Sequence, residues 1–168
     1  MKIRLRGRLK QPEIADGCLE HLEFGEEAEA HSQQQLAEKL RNMLGEADCC
    51  LTEKFEAKED VNQLVKARAW VVDQLILRAW NALIPADEKV SLIAVGGFGR
   101  GELHPHSDVD LLILLEDDVP GDRLRTAIEN FVTLLWDAGF YLAHQVSANV
   151  GSFGEDAPTQ TGKDRNQR

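Results

Sequence analysis

Two short apolar runs on either side of a glycine-rich segment constrain the fold of this chain more than any other feature. The runs are KVSLIAV, residues 89–95, and VDLLILLE, residues 109–116. Short, branched apolar runs bounded by turn residues are typical of buried strands. We therefore predict two buried strands, with a turn or short helix over residues 98–106 between them.

Two long amphipathic helices are predicted before the strands. Ser32 is a suitable N-cap, and Gln35 stands three positions later, as in a capping box. Two apolar stripes with intervals of three and four follow, and Pro85 marks the end of the second. Because only the polar turn EAKED separates the helices, we expect them to pack antiparallel. The stripes comprise Leu36, Leu40, Met43, Leu44, Ala47, Cys50, Leu51 and Phe55, then Val61, Leu64, Val65, Val72, Leu75, Ile76, Ala79, Trp80 and Leu83.

A third helix and a third strand complete the pattern. The stretch DRLRTAIENFVTLLWDAG is amphipathic and ends at Gly139, a suitable C-cap, and FYLAHQV, residues 140–146, alternates as a strand does. Trp70 and Trp80 are expected to make core or helix contacts. We expect an irregular arm over residues 1–31, a helical region over 32–85, a sheet-containing domain over 86–146 and a disordered polar tail over 147–168.

The composition excludes some classes of protein. The 168 residues suffice for one compact domain, with or without a helical appendage. A net charge of −10 disfavours a broad nucleic-acid surface but is compatible with a small anionic ligand. The cysteines, Cys18, Cys49 and Cys50, form no CxxC pair, which favours a reducing compartment. Since no membrane-spanning run or signal peptide is present, we expect a cytoplasmic protein that binds neither nucleic acid nor membrane.

Asp108 and Asp110 stand at the start of the second predicted strand. Side chains at positions i and i+2 of a strand point the same way, about 6–7 Å apart. Two converging carboxylates repel each other and lose solvation, so such a pair persists where a cation sits near it. Mg²⁺ prefers oxygen ligands, usually one or two carboxylates together with substrate phosphates. We therefore predict that Asp108 and Asp110 bind metal and catalyse an in-line phosphoryl displacement.

The residues before the aspartates fit a nucleotide. Gly96 and Gly97 end the first strand, where backbone N–H groups can approach a triphosphate closely. Arg100 offers a planar fork of donors to a phosphate. Ser107 donates its hydroxyl to a phosphate oxygen or caps the turn.

Each motif is weak by itself. DxD occurs in many turns by chance, and GGxGRG matches neither the dinucleotide-binding GxGxxG nor the phosphate loop that ends in GK[ST]. The alternative is a structural turn with surface carboxylates. Placed together between two predicted strands, the motifs favour nucleotide and metal chemistry. His104 and His106 are expected to have turn or helper roles, and His144 to be a packed or supporting histidine.

At these residues the chain resembles a known family. GGFGRGELHPHSDVDLLIL, residues 96–114, is similar to the nucleotidyltransferase signature of the bacterial PII-protein uridylyltransferase/uridylyl-removing enzymes, in the DNA polymerase β-like superfamily. LTEKFEAKEDVNQLVKARAWVVDQLILRAW, residues 51–80, resembles the N-terminal helical region of that family. The likeness covers roughly residues 30–146, and the GRGELHP stretch is specific to the group.

The resemblance implies a fold and an activity. The fold would be α/β (α+β), a partial nucleotidyltransferase domain over residues 86–146 with a small mixed sheet, preceded by the long antiparallel helical pair. The reaction would transfer UMP from UTP to a tyrosine of the PII signalling protein, with Mg²⁺ or Mn²⁺. Asp108 and Asp110 would be the catalytic metal ligands, and Gly96 and Gly97 the phosphate-facing turn.

The resemblance also implies parts that this chain does not show. The superfamily uses a third carboxylate on a later strand, whereas the family-like sequence here ends near Val146. The uridylyl-removing HD domain and the glutamine-sensing ACT domains have no counterpart in the sequence. We therefore expect a truncated form, and impaired activity. Two alternatives stay open: a non-catalytic remnant that still binds nucleotide or PII, and a minimal nucleotidyltransferase with another acceptor.

Overall fold

The computed structural model describes residues 9–15, 32–116 and 120–148. Most of the predicted arm, and nearly all of the predicted polar tail, lie outside these residues. The helices are α1 (Gln33–Glu56), α2 (Val61–Leu83), the single turn α3 (Gly96–Gly99) and α4 (Asp122–Asp137), and the strands are β1 (Val90–Ala94), β2 (Val109–Leu115) and β3 (Leu142–Ala148). A short 3-10 turn covers Glu13–Ala15.

The three strands form one mixed sheet in the order β1-β2-β3. β1 runs antiparallel to β2, with Val90 opposite Leu115, and β3 runs parallel to β2, with Leu142 opposite Val109. A parallel neighbour needs a crossover connection, which α4 supplies. The predicted α+β fold, with a small mixed sheet preceded by an antiparallel helical pair, is confirmed.

The central strand β2 has one buried and one half-buried face. Val109, Leu111, Ile113 and Leu115 are buried in the same core as the helices, and the alternate positions are half-buried. Since side chains alternate along a strand, the sheet packs one face on the helices and leaves the other accessible. Asp110 lies on the accessible face.

The helices begin and end where capping chemistry directs them. The predicted box is present at α1, where the Ser32 side chain accepts from the Gln35 N–H and the Gln35 side chain accepts from the Ser32 N–H. At the end of α4, Gly139 takes φ 89°, and Phe140 N–H donates to Leu135 O at 3.0 Å. This is a Schellman ending. It occupies residues 139–140, so β3 begins at Leu142 instead of the predicted residue 140.

The core contains the sheet and the helices together. Trp80 is fully buried and meets Phe131 edge to face at 5.1 Å between ring centroids, so its predicted core role is confirmed. The apolar stripes are buried along most of their length, but Phe55 and Val61 are 56% and 49% exposed. Both residues flank the turn between α1 and α2 at the edge of the core, and periodicity overestimates burial there.

Two findings concern the cysteines and membrane-spanning helices. Cys49 is exposed with a free thiol, whereas Cys50 is disulfide-bonded, which is not what a reducing compartment favours. An odd number of cysteines still allows one pair, which is why counting alone misleads. Within the described residues, no helix combines the length and apolarity needed to cross a membrane.

Candidate active site

All the predicted site residues except Gly96 line one cavity at the accessible face of the sheet, and Gly96 lies directly against Asp110. Asp108 precedes β2 and is exposed, and Asp110 is half-buried within β2. Asp110 lies on the face of β2 opposite Val109 and Leu111, whereas Asp108 lies just outside the strand, so strand alternation places only Asp110. Both carboxylates line a cavity of about 490 Å³. The structure therefore brings the two carboxylates to the same opening.

Gly96 makes room for the Asp110 carboxylate. It adopts φ 59°, a left-handed conformation that favours glycine. A Cβ atom at Gly96 would lie 2.2 Å from Asp110 Oδ2, closer than real Cβ contacts allow. The backbone holds the two positions together, because Val95 N–H donates to Asp110 O at 3.0 Å. Only glycine at position 96 lets this carboxylate lie against the turn.

The turn after β1 is tighter than the sequence predicts. The short helix α3 begins at Gly96, directly after the strand, instead of at residue 98. Gly99 N–H donates to Val95 O at 2.7 Å, and a Cβ atom at Gly99 would lie 2.6 Å from Ala94 O. The chain therefore folds back on the end of β1, and Gly97 faces the cavity.

Arg100 and Ser107 also line the cavity. The Arg100 side chain is 69% exposed, and its Nε lies 3.6 Å from Glu102 Oε2. A long, exposed pair of this kind adds little stability, so the guanidinium can turn toward an anion at low cost. Sequence reasoning did not single out Glu102, which lines the cavity as well. Phe98, Leu103, His104 and His106 complete the lining.

The segment before Asp108 is a β-turn. Ser107 N–H donates to His104 O at 3.1 Å, Pro105 occupies the second position, and His106 has φ 64° in the third. This combination matches a type II turn, which normally has glycine or asparagine in that third position. The predicted turn role of His104 and His106 fits this geometry. A non-glycine residue with this backbone carries strain of roughly 1–3 kcal/mol.

Two long helices hold this turn from behind. Arg68 in α2 pairs with Asp48 in α1 through Nε–Oδ1 at 2.9 Å and Nη2–Oδ2 at 3.1 Å, and its Nη1 lies 3.4 Å from His104 O. Leu103 is buried, and its N–H donates to Val65 O in α2 at 3.4 Å. Neither Asp48 nor Arg68 was predicted, because a single charged residue on a helix gives no sequence signal of a distant partner.

A divalent metal fits the donor set of this site only in part. Among the described residues, no group of three or more His, Cys, Asp or Glu side chains is arranged to hold a metal ion. Asp108 and Asp110 supply hard oxygen donors that line the cavity. Two carboxylates suit Mg²⁺ when substrate phosphates complete the coordination shell.

His144 does not reach the site cavity. It is exposed in β3, and its ring meets that of Trp136 at 5.7 Å between centroids. The predicted packed position is therefore wrong. β3 is an edge strand of the described sheet, where side chains on both faces stay accessible.

Comparison with known proteins identifies one family. Residues 45–149, more than half of the chain, match the family described as "Putative nucleotidyltransferase DUF294". A protein of Pseudomonas putida is 50% identical over 97 residues, and one of Azotobacter vinelandii is 47% identical over 108 residues. Both relatives are named bifunctional uridylyltransferase/uridylyl-removing enzyme.

The matched regions differ greatly in their share of each protein. They cover 57% and 64% of this chain, but only 11% and 12% of the two relatives. The chain therefore spans a small part of the length of the curated relatives that it matches. No solved structure matches the chain.

Proposed function

The chain belongs to this nucleotidyltransferase family, and on that premise we propose that it transfers UMP from UTP to a tyrosine of the PII nitrogen-regulatory protein. The observation that carries the proposal is the common cavity of Asp108, Asp110 and the glycine turn. The names of the relatives support uridylyl transfer as the chemistry. The whole activity of those longer proteins, including the PII acceptor, is part of the proposal.

The residues of the cavity have complementary roles in this reaction. The tyrosine oxygen attacks the α-phosphorus of UTP, the bond to the bridging oxygen of the β-phosphate breaks, and pyrophosphate leaves. Gly97 lets the backbone approach the phosphates, and Arg100 and Ser107 donate hydrogen bonds to their oxygens. The tyrosine proton passes to solvent or to a neighbouring carboxylate as the new bond forms.

Asp108 and Asp110 would hold Mg²⁺ or Mn²⁺ in this proposal. Held by these two carboxylates, such an ion would neutralise charge on the phosphate oxygens. The third carboxylate that the resemblance implies has no counterpart among the described residues. We propose residues 86–146 as the partial nucleotidyltransferase domain and residues 32–85 as the helical region that supports it.

A transfer assay tests the proposal. The full chain is incubated with α-labelled UTP, Mg²⁺ and PII, and label on PII is measured. We expect incorporation that Asp110→Asn abolishes and that Asp122→Asn, an exposed aspartate at the start of α4, leaves unchanged. Folded wild-type protein that transfers no UMP to PII would contradict the proposed reaction.

Nucleotide binding without turnover is a second candidate. It is favoured by the two-carboxylate donor set among the described residues. It predicts a rise in the thermal midpoint of the chain with UTP and Mg²⁺ but no label on PII. Loss of that rise in Asp110→Asn would assign the binding to this cavity. Transfer to a different acceptor would instead favour a minimal nucleotidyltransferase of another specificity.

A further inference from the structure

We propose that the Asp48–Arg68 pair of the helical hairpin is a positioning device for the turn that carries Ser107 and Asp108. The contact is a property of the fold. Its consequence for metal and nucleotide rests on the proposed function. The pair would make the two long helices a working part of the site, in addition to their role in the core.

The pair has the geometry of a rigid clamp. Two parallel hydrogen bonds at 2.9 and 3.1 Å join the Arg68 guanidinium to the Asp48 carboxylate. The Arg68 side chain is only 13% exposed, so solvent competes poorly for these donors. A bidentate arginine–carboxylate pair fixes the plane and direction of the guanidinium, which a single contact does not. The third nitrogen, Nη1, is thereby directed at His104 O, 3.4 Å away.

His104 O is the key acceptor of the turn. It receives the Ser107 N–H at 3.1 Å as well as the longer contact from Arg68. The turn has strain to hold, because His106 has a left-handed backbone without being glycine. A strained conformation persists only where surrounding contacts determine it. Arg68 supplies such a contact from outside the turn.

Leu103, which is buried in the core, also joins this segment to α2. The Leu103 N–H to Val65 O contact is also 3.4 Å, at the long end for a hydrogen bond. Asp108 follows the turn directly, before β2 begins, and is exposed. The place of its carboxylate therefore depends on how the turn is oriented. Asp110 depends less on it, because it lies within β2 and pairs with Ala143 of β3.

Variants of the clamp separate a positioning role from a stabilising one. Arg68→Gln removes the charge and the fork, Arg68→Lys keeps the charge without the fork, and Asp48→Asn keeps Arg68 but weakens its hold. Arg123→Gln is the matched control, because it breaks an exposed pair with Asp87 away from the site. Circular dichroism and thermal unfolding establish that each full-length variant is folded. If Arg68→Gln is unfolded, Asp48→Asn carries the test, because it leaves the Arg68 side chain in place.

Two measurements are made on each variant without UTP or turnover. Amide hydrogen exchange at Ser107 is compared with exchange at Ile113 in β2. The dissociation constant for Mn²⁺ is measured from the electron paramagnetic resonance signal of the free ion. Changing a residue that orients metal ligands typically lowers metal affinity by roughly 10–100-fold. We expect Arg68→Gln to raise the Mn²⁺ dissociation constant roughly 10-fold and to speed exchange at Ser107 but not at Ile113. Asp48→Asn should change both quantities less, and Arg123→Gln should change neither.

Other patterns of result would overturn the inference. Unchanged Ser107 exchange in Arg68→Gln would mean that Arg68 does not hold the turn. Faster exchange with unchanged Mn²⁺ affinity, where Asp110→Asn abolishes binding, would mean that the turn does not position Asp108. Wild-type Ser107 exchange and wild-type Mn²⁺ affinity in Arg68→Lys would show that only the charge matters, and that the two-bond geometry of the pair does not. The double variant Asp48→Asn/Arg68→Gln must match Arg68→Gln in Ser107 exchange and Mn²⁺ affinity, because Asp48 acts through Arg68. A further loss in the double variant would contradict the inference.

The same experiment distinguishes failure of the proposed function from failure of the positioning role. If the wild-type protein binds no Mn²⁺, or if Asp110→Asn binds it equally well, the proposed metal site is contradicted. The exchange at Ser107 would then decide the positioning role on its own.

Discussion

Replacing Gly96 by alanine is the sharpest single test of how the candidate site is built. A Cβ atom at this position would lie 2.2 Å from Asp110 Oδ2, whereas real contacts stay beyond 3.0 Å. The carboxylate must therefore move by nearly an ångström or the turn must shift. A displacement of about 1 Å can lower a catalysed rate by roughly 100-fold, and we expect a loss of that size in UMP transfer.

The same substitution has a smaller effect on stability. Gly96 has φ 59°, and an alanine in a left-handed conformation costs roughly 1–2 kcal/mol, so the free energy of unfolding should fall by about that amount. Denaturant unfolding followed by circular dichroism measures this loss. Labelled UMP transfer and Mn²⁺ binding measure the effect on the site. A 100-fold loss of transfer corresponds to about 2.7 kcal/mol, so we expect the effect on the site to exceed the effect on stability.

Gly45→Ala is the control for this prediction. Gly45 lies inside α1, and an added Cβ atom would meet nothing within 4 Å. The change should raise the free energy of unfolding by roughly 0.5–1 kcal/mol and leave transfer unchanged. If Gly96→Ala is folded and keeps the transfer rate and Mn²⁺ affinity of the wild type, then Asp110 does not need the empty space at Gly96.

Four further predictions concern the rest of the fold. Lys58 has φ 69° just after α1, so Lys58→Gly should raise the free energy of unfolding by about 1 kcal/mol. Gly139 has φ 89° after α4, so Gly139→Ala should lower that free energy by a similar amount. Denaturant unfolding measures both changes. Trp80→Ala should cost roughly 3–5 kcal/mol in the same assay, because Trp80 is fully buried. The hydrogen bond and charge of Arg123 lower the pKa of Asp87, so its contribution to stability is present at neutral pH and lost as the pH falls through that lowered pKa. An NMR titration should give Asp87 a midpoint below its ordinary value in the wild type and a higher midpoint in Arg123→Gln.

The elements could be predicted because their signals are local. The Ser32 capping box, the apolar periodicity and the glycine after α4 act within a few residues, and each appears where expected. The place of Asp110 on the accessible face also follows from strand alternation. The chemical roles of Asp108 and Asp110 stay predictions.

Features that depend on distant contacts could not be predicted. Arg68 and His104 are 36 positions apart, and only the packed fold brings them together. The exposure of Phe55 and Val61 likewise depends on where the core ends, which the helical period does not encode. The start of α3 at Gly96 reflects the close fit of the turn to β1, a constraint in three dimensions.

The strict alternation along β2 has a consequence for how this segment can change. The odd-numbered residues from Val109 to Leu115 pack in the core, while Asp110 lies on the opposite face and lines the cavity. Inserting or deleting one residue within the strand would exchange the two sets, placing a carboxylate in the core and leucines in water. Such a change would disrupt both the core and the candidate site, whereas a single substitution can alter one and leave the other intact. Lineages of this domain should therefore vary in β2 by replacement and keep its length.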